Sequence, residues 1–264
     1  MINDLVVNIK DADLFLGGKQ ILFNVNWRVR HGEHWFILGP NGAGKTTLTR
    51  MILVYIWPKY GSEISILGNT YGKCDLFHVR KKIAWISPYL LKWTSNSKWT
   101  VQDVVISGVD STVGLYRKAT DDEIEKTKKF LTALDALKLE RKSFLDLSSG
   151  EQVKVLIARA LMSEAKIMIL DEACVHLDLK SREHLLDMLK NLTQSKESPS
   201  IIFVTQRIED IIPEFNKGMM LKNGKVLAIG NRDDILKVNN IENLFEMNVE
   251  LVKTKRNRYW PIVK

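Results

Sequence analysis

Hydrophobic and polar positions alternate near the start of the chain and merge into unbroken apolar runs further in, and each pattern predicts its own kind of element. Leu5-Val6-Val7-Asn8-Ile9 and Ile21 to Val29, with Gly17-Gly18 between them, predict strands of an N-terminal antiparallel layer. Trp35-Phe36-Ile37-Leu38 predicts a short strand, and Leu48, Met51, Ile52 and Val54 follow it as the apolar positions of a helix. Ser62 to Gly68 returns as a strand, closing a mixed core. A helical pattern from Leu76 to Lys82 leads into a strand at Ile83-Ala84-Trp85-Ile86. From about Thr100 to Leu147 the period is helical, and Thr120-Asp121-Asp122-Glu123 is a capping box that opens an amphipathic stretch to about Leu137. Lys166 to Leu170 is a near-continuous apolar run of the kind a parallel strand covered on both faces requires, and Ser200 to Thr205 is another. Between Met219 and Ile229, Asn223-Gly224 is a two-residue hairpin signal.

These elements predict an α/β core formed by residues 1–86 and 164–230. A helical lobe of about 87–163 is inserted into it, and a helical, basic tail covers 231–264. With 264 residues, 45% of them hydrophobic, the chain suits one α/β domain with a smaller lobe. No apolar run approaches the roughly 20 residues that span a bilayer, and Met1-Ile2-Asn3-Asp4 lacks the basic start of a signal peptide. The expected location is cytoplasmic, or peripheral on the inner face of a membrane. Cys74 and Cys174 lack metal-ligand spacing and read as reduced packing thiols. His34, His78, His176 and His184 show no ligand spacing either. The formal charge of +8 favours an acidic partner without choosing between nucleotide, nucleic acid and anionic membrane.

The chemistry concentrates in Gly39-Pro40-Asn41-Gly42-Ala43-Gly44-Lys45-Thr46-Thr47, which fits the P-loop pattern between a strand and a helix. Gly39, Gly42 and Gly44 permit positive φ and keep side chains away from converging backbone amides, so the loop can cradle a triphosphate. Lys45 reaches the terminal phosphates, Thr46 offers a hydroxyl to Mg²⁺, and the helix N-terminus faces the anion. Asp171 and Glu172 follow an apolar strand directly, the Walker B pattern. Asp171 suits Mg²⁺, and Glu172 suits the general base that polarises water. Alone, the pair is also what an acidic strand end looks like, and the P-loop upstream decides between the readings.

Leu147-Ser148-Ser149-Gly150-Glu151 opens a helix, with Ser148 and Glu151 spaced as a capping box. Lying between the P-loop and the Asp-Glu strand, it resembles the signature motif of ATP-binding cassette (ABC) ATPases. The order Gly39 to Thr47, Leu147 to Glu151, Ile167 to Glu172 and Leu177-Asp178 (as D-loop) is similar to that of an ABC nucleotide-binding domain over nearly the whole chain. The resemblance implies a P-loop NTPase (RecA-like) fold that binds ATP and Mg²⁺. It also implies a head-to-tail homodimer or heterodimer in which Ser148, Ser149 and Gly150 of one subunit meet the γ-phosphate held by the other. Gly32-Glu33-His34-Trp35 and Val204 to Asp210 look like a subgroup found beside metal or molybdate uptake systems.

The chain departs from the family pattern at several positions. Leu16, next to Phe15, stands where an aromatic usually stacks on adenine. Ser87-Pro88-Tyr89 replaces the Q-loop glutamine, leaving Ser87 as a candidate oxygen near Mg²⁺. Ser149 and Glu151 replace the usual Gly and Gln, Ala173-Cys174 replaces Pro-Thr, and Gln206 stands at the switch-histidine position. A neutral amide there implies a slow ATPase, because it cannot become charged as imidazole can. Two functions follow from the resemblance. One is an ATPase subunit that drives a separate membrane permease. The other is a soluble switch acting on nucleic acid, the ribosome or another assembly, toward which the tail from Lys253 to Trp260 leans if its cations meet phosphates. The plainer reading of that tail is a solvated, partly disordered end.

Overall fold

The computed structural model describes residues 4–87, 99–195 and 198–264. Its N-terminal layer is led by two long strands, β1 (Leu5–Leu16) and β2 (Lys19–Arg30), paired antiparallel across Gly17-Gly18. β1 runs well past Ile9, where the simple alternation stops. Asp11 sits at φ 50° with its N–H donated to Asn26 Oδ1, and this bulge restores the inward register so that Ala12 and Leu14 are fully buried. After β3 (Trp35–Leu38) and the helix α1 (Lys45–Ile52) come β4 (Glu63–Ile66) and β5 (Asn69–Thr70). β4 pairs with β1 and so joins the antiparallel layer, whose order is β2-β1-β4-β5.

Helix α2 (Leu76–Lys81) precedes β6 (Ile83–Ile86), and β7 (Ile167–Asp171), β8 (Ser200–Thr205), β9 (Lys217–Lys222) and β10 (Lys225–Asn231) complete a second sheet of order β10-β9-β3-β8-β7-β6. All its pairings are parallel except the β9–β10 hairpin, which turns at Asn223-Gly224. The unbroken apolar runs follow from burial on both faces. Trp35, Ile37, Ile167, Ile169, Ile202 and Val204 point into one core with α1 and the antiparallel layer, while Phe36, Leu38, Met168, Leu170, Ile201 and Phe203 point into the other.

The second core is closed by the helices α3 (Val101–Asp110), α4 (Asp121–Ala133) and α5 (Ser149–Met162), which follow one another with no strand among the described residues from 101 to 162. Each starts on a reciprocal capping box: Thr100 with Asp103, Thr120 with Glu123, Ser148 with Glu151. Helix α6 (Leu179–Thr193) is capped by Asp178, which accepts from the Ser181 N–H at 2.7 Å. Both cysteines are free, and Cys174 is buried.

The C-terminal segment departs from expectation. After the short helices α7 (Arg232–Ile235) and α8 (Val238–Phe245), it is a hairpin of β11 (Val249–Lys253) and β12 (Tyr259–Val263) rather than a helical or loose solvated tail. The reason is electrostatic: Arg258, just before β12, is buried on the Glu183 carboxylate of α6, a partner 75 residues away in the chain.

In the central sheet Gly218 lies opposite Phe36, and a Cβ there would come within 2.1 Å of the Phe36 ring, which is fully buried and has no room to retreat. Gly218→Ala is therefore expected to destabilise the chain by at least the roughly 1–3 kcal/mol typical of overpacking. The check is a thermal melt: an unchanged midpoint would mean that the Phe36 rotamer is free to shift.

Candidate active site

The registers of four parallel strands bring the expected chemistry to one edge of the sheet. Leu38 lies opposite Thr205, Asp171 opposite Val204, and Ile86 opposite Leu170. The residues that leave these strands are therefore neighbours: Gly39 from β3, Gln206 from β8, Asp171-Glu172 from β7 and Ser87 from β6. This is the carboxyl end of the strands, where open α/β sheets hold ligands.

Gly42 and Gly44 adopt φ values of 78° and 99°, so the loop needs glycine there for conformational reasons. Gly39 is not among the positive-φ residues. It is required by contact instead, since a Cβ would stand 2.3 Å from the Leu221 carbonyl oxygen. The loop delivers the chain into α1, which packs on β2 and β7. Lys45, at the first position of α1, is only 4% exposed. Its ammonium donates to the carbonyl oxygens of Gly39 (2.8 Å) and Pro40 (3.0 Å) and lies 3.4 Å from Glu172 Oε1. Asn41 and Thr46 are exposed and Thr47 half-buried. Glu172 is held by its own N–H to Val204 O and takes a left-handed φ of 56°, unusual for a non-glycine residue and a form of strain that gathers at functional sites.

Asp171 is buried, and its Oδ1 has no hydrogen-bond partner among the described residues. Burial first, and the adjacent Glu172 carboxylate second, push its carboxyl up to about 6, while Lys45, Trp85 and Arg50 pull the other way. An orphaned carboxylate oxygen of this kind fits a hard divalent cation. No group of three or more His, Cys, Asp or Glu side chains gathers around it among the described residues, so a cation at Asp171 would need oxygens of other kinds as well. Trp85 beside Asp171 was not singled out in the sequence, although the β6–β7 register makes it a neighbour.

Ser87 is buried at the end of β6, while Pro88 and Tyr89 lie outside the described residues. Phe15 and Leu16 are both exposed at the end of β1, on the hairpin whose second strand backs Gly44 through Ile21 and Leu22. The signature residues lie elsewhere. Ser148 caps α5, Ser149 donates to the carbonyl of His176 at 3.3 Å, and Gly150 packs against Ser181 of α6. Ser148 Oγ also donates to Glu151 at 2.9 Å, and the Ser148 N–H is the leading reason why the Glu151 carboxyl sits below the usual range. Among the described residues no hydrogen bond or ion pair joins the stretch 39–47 to 147–151.

The comparisons with known proteins agree with this arrangement. The family model described as "ABC transporter" matches residues 22–175. An ABC transporter ATP-binding protein of Streptococcus mutans is 32% identical over 255 residues, 97% of each chain. The ABC transporter ATP-binding protein YlmA of Bacillus subtilis is 34% identical over 235 residues, 88% of each. Among solved structures, the dimeric cassette MJ0796 bound to ADP and Pi in a post-hydrolysis state shares the fold at a TM-score of 0.71 and 24% identity, covering 85% of this chain and 98% of that one. The chain belongs to the ABC transporter ATP-binding family: it is an ATP-binding cassette with the P-loop NTPase fold and an ATP hydrolase.

Between the ordinary carboxylate value and about 6, the folded chain keeps a proton on Asp171 that the unfolded chain has released. Nucleotide-free stability therefore falls as pH rises through that window and levels off above it. Asp171→Asn removes this penalty. The variant should exceed the parent in stability at pH 7.5 without nucleotide, by about 3 kcal/mol at the most, and the gain should vanish near pH 4. Melts at both pH values check this, and an equal gain at both would trace the effect to packing.

Proposed function

We propose that the chain is the ATP-hydrolysing subunit of a transporter whose membrane-spanning part is a separate polypeptide, and that it works as a head-to-tail dimer. The observation that carries this is the separation of its two half-sites. The phosphate cradle sits between the end of β3 and the start of α1, while the signature helix α5 packs on α3, α4 and α6, and among the described residues no hydrogen bond or ion pair joins the two motifs. A second cassette completes the site by presenting its α5 N-terminus to the nucleotide on the first.

In this reading the loop amides from Gly39 to Thr47 wrap the phosphates, and Lys45 exchanges the Gly39 and Pro40 carbonyls for phosphate oxygens. Thr46, Asp171 and, across the sheet, Ser87 would hold Mg²⁺, which supplies neutralisation of charge on the transferring phosphoryl group. Glu172 accepts a proton from the attacking water, and Gln206 donates its amide toward the γ-phosphate. Ser148, Ser149 and Gly150 of the other subunit close the site, and Leu16 and Phe15 line the adenine side.

Among the described residues no helix is long and apolar enough to cross a membrane, so the transport reading requires a permease partner. A groove of about 450 Å³ beside β6 fits such a contact. It is lined by Tyr55, Phe77, Arg80, Trp85, Val113 and Arg159, with Tyr55 and Phe77 exposed and the Arg80 guanidinium 5.0 and 5.6 Å from their rings. Of the basic tail that suggested the nucleic-acid alternative, Arg258 is buried on Glu183 and so is not offered to a partner, whereas Arg256 stays exposed beside Asp187.

Glu172→Gln keeps the shape of the site and removes the base, so this variant should accumulate an ATP-bound dimer. Light scattering with and without MgATP reads it directly, and a monomer in both conditions would count against a homodimer. Gln206→His should raise kcat with little change in ATP affinity, because a chargeable donor stabilises the transition state more than a neutral amide. Steady-state phosphate release at saturating MgATP decides, and equal or lower turnover in the histidine variant would remove Gln206 from the switch role.

A further inference from the structure

Gln206 has no hydrogen bond of its own among the described residues, so its position comes from the backbone on either side. That backbone is fastened at three points. Thr205 Oγ1 accepts the Arg207 N–H at 3.0 Å and donates to Asp210 Oδ2 at 3.3 Å, which ties the two ends of the segment together. Asp210, buried, lies 3.6 Å from Arg182 of α6, the helix that begins at Asp178. The third point comes from the far end of the chain. Arg258, only 6% exposed, donates Nε to the carbonyl of Glu209 at 2.9 Å and places both terminal nitrogens on the Glu183 carboxylate of α6.

We propose that the β11–β12 hairpin is a clamp that sets the position of Gln206 relative to the D-loop helix, with Arg258 as the positioning residue. The proposal rests on the ATPase reading above. A guanidinium suits the task, because its planar fork grips a carboxylate and a carbonyl in fixed geometry, which a single ammonium cannot. Arg258 joins two segments that both lead into the site, Ile208–Asp210 one residue beyond Gln206 and α6 directly after the D-loop. The hairpin is in turn anchored elsewhere: Arg232 donates to the Asn257 carbonyl and lies 5.0 Å from the Tyr259 ring, and Trp260 lies 5.6 Å from Arg182. Losing Arg258 leaves Glu183 with Arg182 at 3.3 Å, so the carboxylate is not stranded and the fold should survive. The D-loop helix and the switch segment then lose their common tie.

The test is a double-mutant cycle on the full chain: wild type, Arg258→Ala, Gln206→Ala and the double variant, each assayed for kcat and KM with MgATP and for ATP affinity by a fluorescent analogue. Arg258→Ala should lower kcat roughly ten- to a hundred-fold, as expected for a misplaced catalytic group, with KM and nucleotide affinity little changed. In the Gln206→Ala background the same substitution should cost almost nothing more, because there is no amide left to place. Arg258→Lys should recover only part of the loss and serves as the working variant if the alanine form does not fold. Equal losses in both backgrounds, or no loss in either, would overturn the clamp. A wild-type chain without ATPase activity would instead refute the enzymatic reading on which the clamp depends.

Discussion

In the central sheet β3 lies beside β8 and β8 beside β7, with Leu38 opposite Thr205 and Val204 opposite Asp171, so the relative height of these strands places every group at the phosphate edge. A slip of one residue in any pair would move the loop, the carboxylates and Gln206 out of reach of one another. It would also send Ile37 or Ile169 into the core now filled by Phe36 and Met168. Packing on both faces thus fixes the register, and the register fixes the chemistry. Gly218 is where this is tightest, since the Phe36 ring occupies the space of a missing side chain.

On that scaffold the charges are arranged to need both a polyanion and a cation. Lys45 faces Glu172 and two carbonyl oxygens, while Asp171 is buried with an unpartnered oxygen and a carboxyl that resists ionisation. Two carboxylates against one ammonium make a poor anion site by themselves. In the proposed reading Asp171 would hold a divalent cation, whose positive charge would favour the ionised carboxylate and would leave Lys45 for phosphate and Glu172 for the water. Nucleotide and cation are therefore expected to bind as a coupled pair.

Features set by local sequence were legible, and features set by distant contacts were not. The Gly-rich loop, the buried strands, the Asn223-Gly224 hairpin and the capping boxes at Thr120 and Ser148 each follow from neighbouring residues, so the chain states them openly. Gly39 was identified for the wrong physical reason, because only the fold reveals the Leu221 carbonyl pressed against it. The bulge at Asp11 hid the second half of β1. The C-terminal hairpin was misread because a run of cations looks solvated until its partner is known, and Arg258 finds Glu183 and the Glu209 carbonyl 75 and 49 residues away. The available signals were the apolar-polar start Val249-Glu250-Leu251 and the aromatic and β-branched residues from Tyr259 to Val263.

The departures from the family pattern are not scattered evenly. The cradle from Gly39 to Thr47 and the Asp171-Glu172 pair keep the family pattern, whereas Leu16 on the proposed adenine side, Ser87, Ala173-Cys174, Ser149, Glu151 and Gln206 depart from it. Glu151 accepts a hydrogen bond from the Ser148 hydroxyl at 2.9 Å, a bond that would have to yield before Ser148 could donate to a phosphate in the proposed dimer. Gln206 offers a neutral donor whose placement is left to the backbone and, through Glu209, to Arg258. In the proposed reading, phosphate binding draws on the unaltered cradle, while closure and turnover draw on Ser149, Glu151 and Gln206. Since only interactions that strengthen in the transition state speed the chemical step, such a division would keep ATP bound while slowing its use. With the clamp proposed above, control of the rate would lie in contacts around the C-terminal hairpin, away from the phosphates themselves.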